Sequence, residues 1–216
     1  MKHRKLNITV MCALLGGALT VGEASALTGL YEHIIPILGV TMEKQPIGTV
    51  AHLLLTFQTR DDHDGLAIHF LTAPGRFSPM AQTAIQQAIY RAARVAGLVP
   101  DSWTVILSVP YPGVTIYGDS LSAMVSLSVL ALAKGETIPI DRVMTGSVSP
   151  DGRIAPVGSI PLKVAAANAA HIRRVVVPEE TDVADADWDT AFLMHISPVG
   201  SFGEAYQALT DHPLRP

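Results

Sequence analysis

The 216-residue chain is 49% hydrophobic and only 16% charged, with a formal net charge of −4 at pH 7. That balance can fill a core and excludes wholesale disorder, and a mildly acidic chain without a basic stripe is a poor candidate for binding nucleic acid. Aromatic residues make up 6%, so the core is expected to be built from Ala, Val, Leu and Ile.

The chain opens on a basic head, Lys2, His3, Arg4 and Lys5, followed by a mostly apolar stretch over 6–20 and by Ala24-Ser25-Ala26. This is the layout of a secretory signal peptide over 1–26, cut after Ala26. The apolar run is shorter than the roughly 20 residues of a membrane-spanning helix. Left uncleaved, it would instead anchor the chain to a membrane. Cleavage removes Lys2, Arg4, Lys5 and Glu23 and takes the net charge to −6, with 12 basic and 18 acidic residues. It also removes Cys12, the only cysteine, so an exported, periplasmic or secreted product has no disulfide and no thiol to mispair.

Residues 27–46 read as a leader with an apolar piece at 34–40, a peripheral strand at most. A β-rich run over 47–59 predicts a strand, Asp64-Gly65 a hairpin turn, and 66–72 the returning strand. Ser78 caps a predicted helix to about Ala96, stopped by Gly97, with Met80, Ala84, Ala88, Ala92 and Val95 as its buried stripe. A strand over 103–109 leads to a proline-containing loop. Asp119 then caps a helix over 120–133, apolar nearly all round and therefore internal. Strands over 142–148 and 153–157 meet at Ser149-Pro150-Asp151-Gly152. Ser159 caps a helix over 160–170 with Pro161 in its first turn. Strands over 173–177 and 192–196 and a helix over 202–209 close the chain. This is one α+β domain over 47–212, with no internal repeat.

Two residues invite chemistry. Lys163 is the only charged residue between positions 154 and 170, with Leu162, Val164 and three alanines beside it. Desolvation and the start of a helix both disfavour an ammonium, which favours the neutral amine a general base must be. On these residues alone, a lysine snorkelling from a helix end accounts for it somewhat better. Ser120 leaves a Gly-Asp step where helix-start N–H groups can stabilise an oxyanion, although Asp119 and Ser120 also make an ordinary cap. His63 among three aspartates is better explained by a solvated turn than by metal. No cofactor is expected. The sequence holds no Gly-x-x-x-x-Gly-Lys-Ser/Thr phosphate loop and no Gly-x-Ser-x-Gly elbow.

Taken together, the motifs are more specific. Tyr117-Gly118-Asp119-Ser120-Leu121-Ser122-Ala123 resembles the nucleophile segment of Lon proteases (family S16), and more closely its archaeal Glu-Gly-Asp-Ser-Ala-Ser form than the bacterial Asp-Gly-Pro-Ser-Ala-Gly. Met144-Thr145-Gly146 resembles the family's Met-Thr-Gly strand. Gly152-Arg153-Ile154-Ala155-Pro156-Val157-Gly158-Ser159 resembles its Gly/Pro turn, and Val175-Val176-Val177-Pro178 its closing strand. The match runs from Ser120 to Pro178 without a gap, and Lys163 falls at the family's lysine.

The resemblance implies the Lon proteolytic-domain fold, of ribosomal protein S5 domain 2-like type, with mixed sheets packed on helices. It implies a serine endopeptidase in which Ser120 is the nucleophile and Lys163 the base. Thr145 orients the lysine amine, unless it is merely a strand residue satisfied by backbone. Tyr117 stands where the family usually carries an acid, a departure that bears on lysine protonation, substrate selection or latency. A standalone exported domain without the ATPase is expected to cut peptides or unfolded chains without ATP. The family's rings leave a homo-oligomer open, and a non-catalytic module that binds a peptide or partner protein is the alternative.

Overall fold

The computed structural model describes residues 30–180 and 194–215. The expected signal segment over 1–26 lies outside them, as do Phe192 and Leu193 at the start of a predicted strand.

The main sheet has four strands in the order β1 (Leu30–Val40), β2 (Gly48–Thr59), β5 (Trp103–Ser108), β3 (Ala67–Phe70). β2 alternates as a half-buried strand should, with Leu53, Leu55 and Phe57 facing the core. β1 pairs with it antiparallel along its whole length, from Leu30 opposite Gln58 to Val40 opposite Gly48. Of the two readings of this apolar piece, leader or peripheral strand, the second holds: it is the edge strand of the main sheet, and the strand begins well before residue 47. Thr41 closes this hairpin, its N–H donating to Ile47 O and its Oγ1 accepting from Ile47 N.

The predicted hairpin at Asp64-Gly65 does not form. β5 lies between β2 and β3, antiparallel to the first and parallel to the second. Arg60 holds the intervening loop open. Its guanidinium donates to the carbonyls of Gly65 and Trp103 and to Thr104 Oγ1 at 2.6–2.8 Å, and its Nε pairs with Asp62. These bonds fix the loop to β5, so the dipeptide turns the chain without setting strand pairing.

β4 (Arg76–Phe77) leads into α1 (Pro79–Val95) and pairs in parallel with β6 (Thr115–Ile116). Ser78 caps α1 by accepting from Ala81 N, and Gly97 follows the helix at φ 65. The buried stripe is Ala81, Ile85, Ala88, Ile89, Ala92 and Ala93. Met80 and Val95 face solvent instead, 66% and 39% exposed. The predicted stripe was rotated by about one residue, because the two isoleucines outweigh the methionine in setting which face turns inward.

α1 packs on α2 (Ser122–Ala133), in which every residue from Ser122 to Leu132 is buried. Ser126 and Ser128 survive there because their hydroxyls donate to Ala123 O and Met124 O within the helix. The predicted strand over 142–148 is split. β7 (Arg142–Met144) joins the parallel sheet β11 (His195–Val199), β10 (Arg174–Pro178), β7, whereas β8 (Ser147–Val148) pairs antiparallel with β9 (Ile154–Ala155). Thr145 and Gly146 are the break. α3 (Ile160–Ala169) follows, covering a second core of Leu38, Val143, Val164, Val175 and Val177. Ser159 does not cap it: the residue is left-handed, at φ 61, without a side-chain cap bond. α4 (Phe202–Thr210) closes the fold with a capping box of Ser201 and Glu204. The α+β architecture of mixed sheets and helices agrees with the expected one. Among the described residues no helix is long and apolar enough to cross a membrane.

Candidate active site

Ser120 sits in the turn between β6 and α2, not in the helix. Gly118 is left-handed at φ 84, and Ser122 N donates to Asp119 O at 2.9 Å to close the turn. α2 starts at Ser122, and neither Asp119 nor Leu121 caps it through a side chain. The N–H groups of Ser120 and Leu121 have no hydrogen-bond partner among the described residues. Free N–H donors beside a half-buried hydroxyl are what an oxyanion site requires.

Two backbone bonds clamp this turn to the strand break. Gly146 N donates to Ser120 O at 2.9 Å, and Ala123 N donates to Gly146 O at 3.2 Å. Thr145 N is held by Val176 O at 3.1 Å. The chain must leave β7 here because its next partners belong to the Ser120 turn. That explains why Thr145 and Gly146 interrupt the predicted strand. A side chain at Gly146 would crowd Ile154 Cγ2 at 3.0 Å and Met144 Cε at 3.3 Å.

Lys163 enters from the first turns of α3. It is 3% exposed, and its Nζ donates to Oγ1 of the fully buried Thr145 at 3.0 Å. Burial pushes its pKa down to about 8, with the Asp119 carboxylate acting in the opposite direction. A large part of the amine is therefore neutral at mildly alkaline pH. The structure brings Ser120, Lys163, Thr145 and Asp119 to one place. Ser120, Asp119 and Lys163 line a common cavity of about 680 Å³, and Thr145 supports it from behind. Among the described residues, no hydrogen bond joins Ser120 Oγ to Lys163 Nζ, whose side-chain bond runs to Thr145. Without bound substrate, a pair of this kind is commonly loose. Tyr117 stands on the rim, 58% exposed, and makes no bond to the lysine among the described residues.

The remaining wall of the cavity was not anticipated. Ile37, Val40 and Met42 come from the end of β1 and the bend after it, and Thr49 and Val50 from β2. Their signal was present in the apolar run over 34–40. The short span to 48–59 marks a hairpin, which would have placed that run beside the site. His63 is not near it. Its Nδ1 lies 3.1 Å from Ser102 Oγ in the exposed loop between β2 and β3.

A family model for the Lon protease (S16) C-terminal proteolytic domain matches residues 78–208. Similar curated proteins include Lon protease 2 of Sorangium cellulosum (strain So ce56), 31% identical over 109 residues, which cover 50% of this chain and 14% of that protein. The Lon protease of Phenylobacterium zucineum (strain HLK1) is 27% identical over 179 residues, 79% of this chain and 22% of that protein. The archaeal Lon protease of Methanothermobacter thermautotrophicus (strain Delta H) is 28% identical over 143 residues, 63% of this chain and 21% of that protein. The chain thus spans less than a quarter of the length of these relatives.

Proposed function

The chain belongs to the Lon protease (S16) C-terminal proteolytic domain family, and from that premise we propose that it is a serine endopeptidase using Ser120 and Lys163 as a dyad. The observation that carries this is the lysine. A buried amine, held by one neutral hydroxyl and facing the same cavity as a half-buried serine, is poised to accept a proton.

In the proposed cycle, neutral Lys163 Nζ takes the Ser120 hydroxyl proton as Oγ attacks the peptide carbonyl. The oxyanion forms opposite the free N–H groups of Ser120 and Leu121. The ammonium then protonates the departing amine, leaving an acyl ester on Ser120. Water hydrolyses that ester, with Lys163 again taking and returning a proton. Thr145 keeps the amine aimed throughout.

We propose peptides or unfolded chains as substrates, cleaved without nucleotide. On the strength of the sequence over 1–26 we place the protein outside the cytoplasm. The test is degradation of unfolded casein and a short fluorogenic peptide in nucleotide-free buffer. Ser120→Ala is expected to abolish both, and a peptide boronate is expected to be captured by wild type and not by the variant. Full activity of Ser120→Ala would sink the assignment. The absence of a bond between Ser120 and Lys163 favours a second reading, a module that binds peptide without cutting it. Peptide binding with neither boronate capture nor cleavage would select it.

Asp119 supplies a separate check. Its carboxylate favours the ammonium form of Lys163. Asp119→Asn removes that stabilisation and lowers the lysine pKa further. The rise of kcat/KM with pH is expected to move to lower pH in the variant. An unmoved or upward-shifted limb would remove Asp119 from the electrostatics of the base.

A further inference from the structure

Beside the Ser120 cavity lies a second one, of about 310 Å³, lined by Leu71, Thr72, Arg76, Gln82, Thr115 and Tyr117 among others. Thr115 and Tyr117 line both cavities. The two are therefore neighbouring compartments of one depression, with the exposed Tyr117 ring on their common wall. Their chemistry differs. Among its lining residues the first carries Asp119 and Lys163, already engaged with each other's charge. The second has a single charged lining residue, Arg76.

Arg76 is free to take a ligand at its terminal nitrogens. Its Nε–H donates to Thr115 Oγ1 at 3.1 Å, which fixes the plane of the guanidinium. Its backbone is pinned as well, by the parallel pairing of β4 with β6 and by its N–H on Val114 O at 2.9 Å. Both terminal nitrogens are left without a partner among the described residues, and none of the four ion pairs found there includes Arg76. Arg153 and Arg215 have no side-chain bond among the described residues, but neither lines this cavity. Arg60, Arg142 and Arg174 pair with carboxylates, and Arg91 and Arg94 donate to backbone carbonyls of Val148 and Pro150. A pre-oriented planar fork with two vacant N–H edges is matched by a carboxylate.

We propose that Arg76 is a specificity-determining residue that receives a Glu or Asp side chain of the substrate in the second cavity, while Ser120 attacks in the first. This deepens the peptidase reading and rests on it. A chain drawn over Tyr117 would place one acidic side chain at a fixed position relative to the scissile bond. The protein is acidic overall, so Arg76 would act as a local positive feature that selects sequence rather than attracting acidic chains at long range.

The experiment is a scan of a neutral fluorogenic peptide in which Gln is exchanged for Glu at each position flanking the cleaved bond. One position is expected to raise kcat/KM about ten-fold, the scale of a charge-assisted pair at an accessible site. Arg76→Gln is expected to erase that preference, and Arg76→Lys to keep part of it. Cleavage of the neutral parent should stay within about two-fold in both variants, with an unchanged melting temperature because Arg76 is exposed. A flat scan, or a preference that survives Arg76→Gln, overturns the proposal. If no peptide is cut, the peptidase reading fails first, and fluorescence anisotropy of the same peptides then decides. Tighter binding of one Glu peptide, lost in Arg76→Gln, upholds the Arg76 subsite, and equal affinities overturn it.

Discussion

Replacing Lys163 with methionine is expected to abolish peptide cleavage and, at the same time, to make the protein more stable at pH 7. Methionine keeps the length and apolar stem of lysine but carries no charge. The loss of a general base lowers the chemical rate by about 10²–10⁴-fold. The gain in stability follows from the pKa. In the unfolded chain the amine titrates near its ordinary value of 10.5, and in the folded protein near 8. Below pH 8 both states are protonated, and the folded state holds an ammonium that burial disfavours. Between pH 8 and 10.5 the unfolded state binds the extra proton, so stability rises with pH across that window. The full linkage corresponds to about 3 kcal/mol. Solvent reaching the amine through the cavity reduces it, and the variant leaves the buried Thr145 hydroxyl unpaired at about 1 kcal/mol. The expected net gain is about 1–2 kcal/mol at pH 7; above pH 10.5 the linkage contribution is gone and the unpaired hydroxyl leaves the variant about 1 kcal/mol less stable than wild type. Urea denaturation at pH 7 and pH 10.5 measures both ends. A variant less stable than wild type at pH 7 would mean that the amine is not held at an energetic disadvantage, and the case for a primed base would fall with it.

Such a trade between stability and chemistry is expected of working sites. It also explains why the candidate site stands out in the sequence more readily than the pairing of the strands around it. Lys163 stands out because a charged residue in an apolar segment conflicts with the packing rules. Ser120 stands out because a small polar residue leaves a Gly-Asp turn before an apolar helix. Local pattern was enough to place α1, α2, α3 and α4 to within two residues at each end, though not to give the buried face of α1 or the side-chain caps expected from Asp119 and Ser159. It was not enough for pairing. Asp64-Gly65 is a sound local hairpin signal, but Arg60 ties the loop to β5 and leaves β2 and β3 apart. The strand over 142–148 is continuous by composition, yet Thr145 and Gly146 take their partners from Val176 and the Ser120 turn. The run over 34–40 reads as a leader or a peripheral strand, and the choice between them depends on β2, which no pattern within residues 30–40 reveals. In each case the deciding contact lies far away in sequence.

Gly48 shows how tightly that distant packing is joined to the site, and Gly48→Ala is expected to damage fold and activity together. Gly48 opens β2 beneath α3. An added Cβ would overlap the carbonyl oxygen of Leu162 outright, stand 2.5 Å from its carbonyl carbon, and press on Ala166 Cβ at 3.1 Å. The obstruction is backbone, so no rotamer change relieves it. Either β2 or α3 must move. Overpacking of this kind costs about 1–3 kcal/mol when side chains yield, and more when the main chain must. A loss of about 3 kcal/mol or more is therefore expected. The displaced residue, Leu162, immediately precedes Lys163, so the helix shift carries the amine away from Thr145 and Ser120. A misplacement of about 1 Å is enough to lower the rate about 10²-fold. Gly39 provides the control, because its added Cβ would meet only Thr49 Cγ2 at an ordinary 3.6 Å. Gly39→Ala, in the opposite strand of the same hairpin and on the same cavity wall, is expected to fold and cleave as wild type does. Melting temperature and peptide kcat measured on both variants check the pair. Equal behaviour of Gly48→Ala and Gly39→Ala would show that α3 does not rest on β2 as closely as the structure has it. Loss of rate in Gly48→Ala, measured well below its melting temperature, would tie the position of Lys163 to that contact.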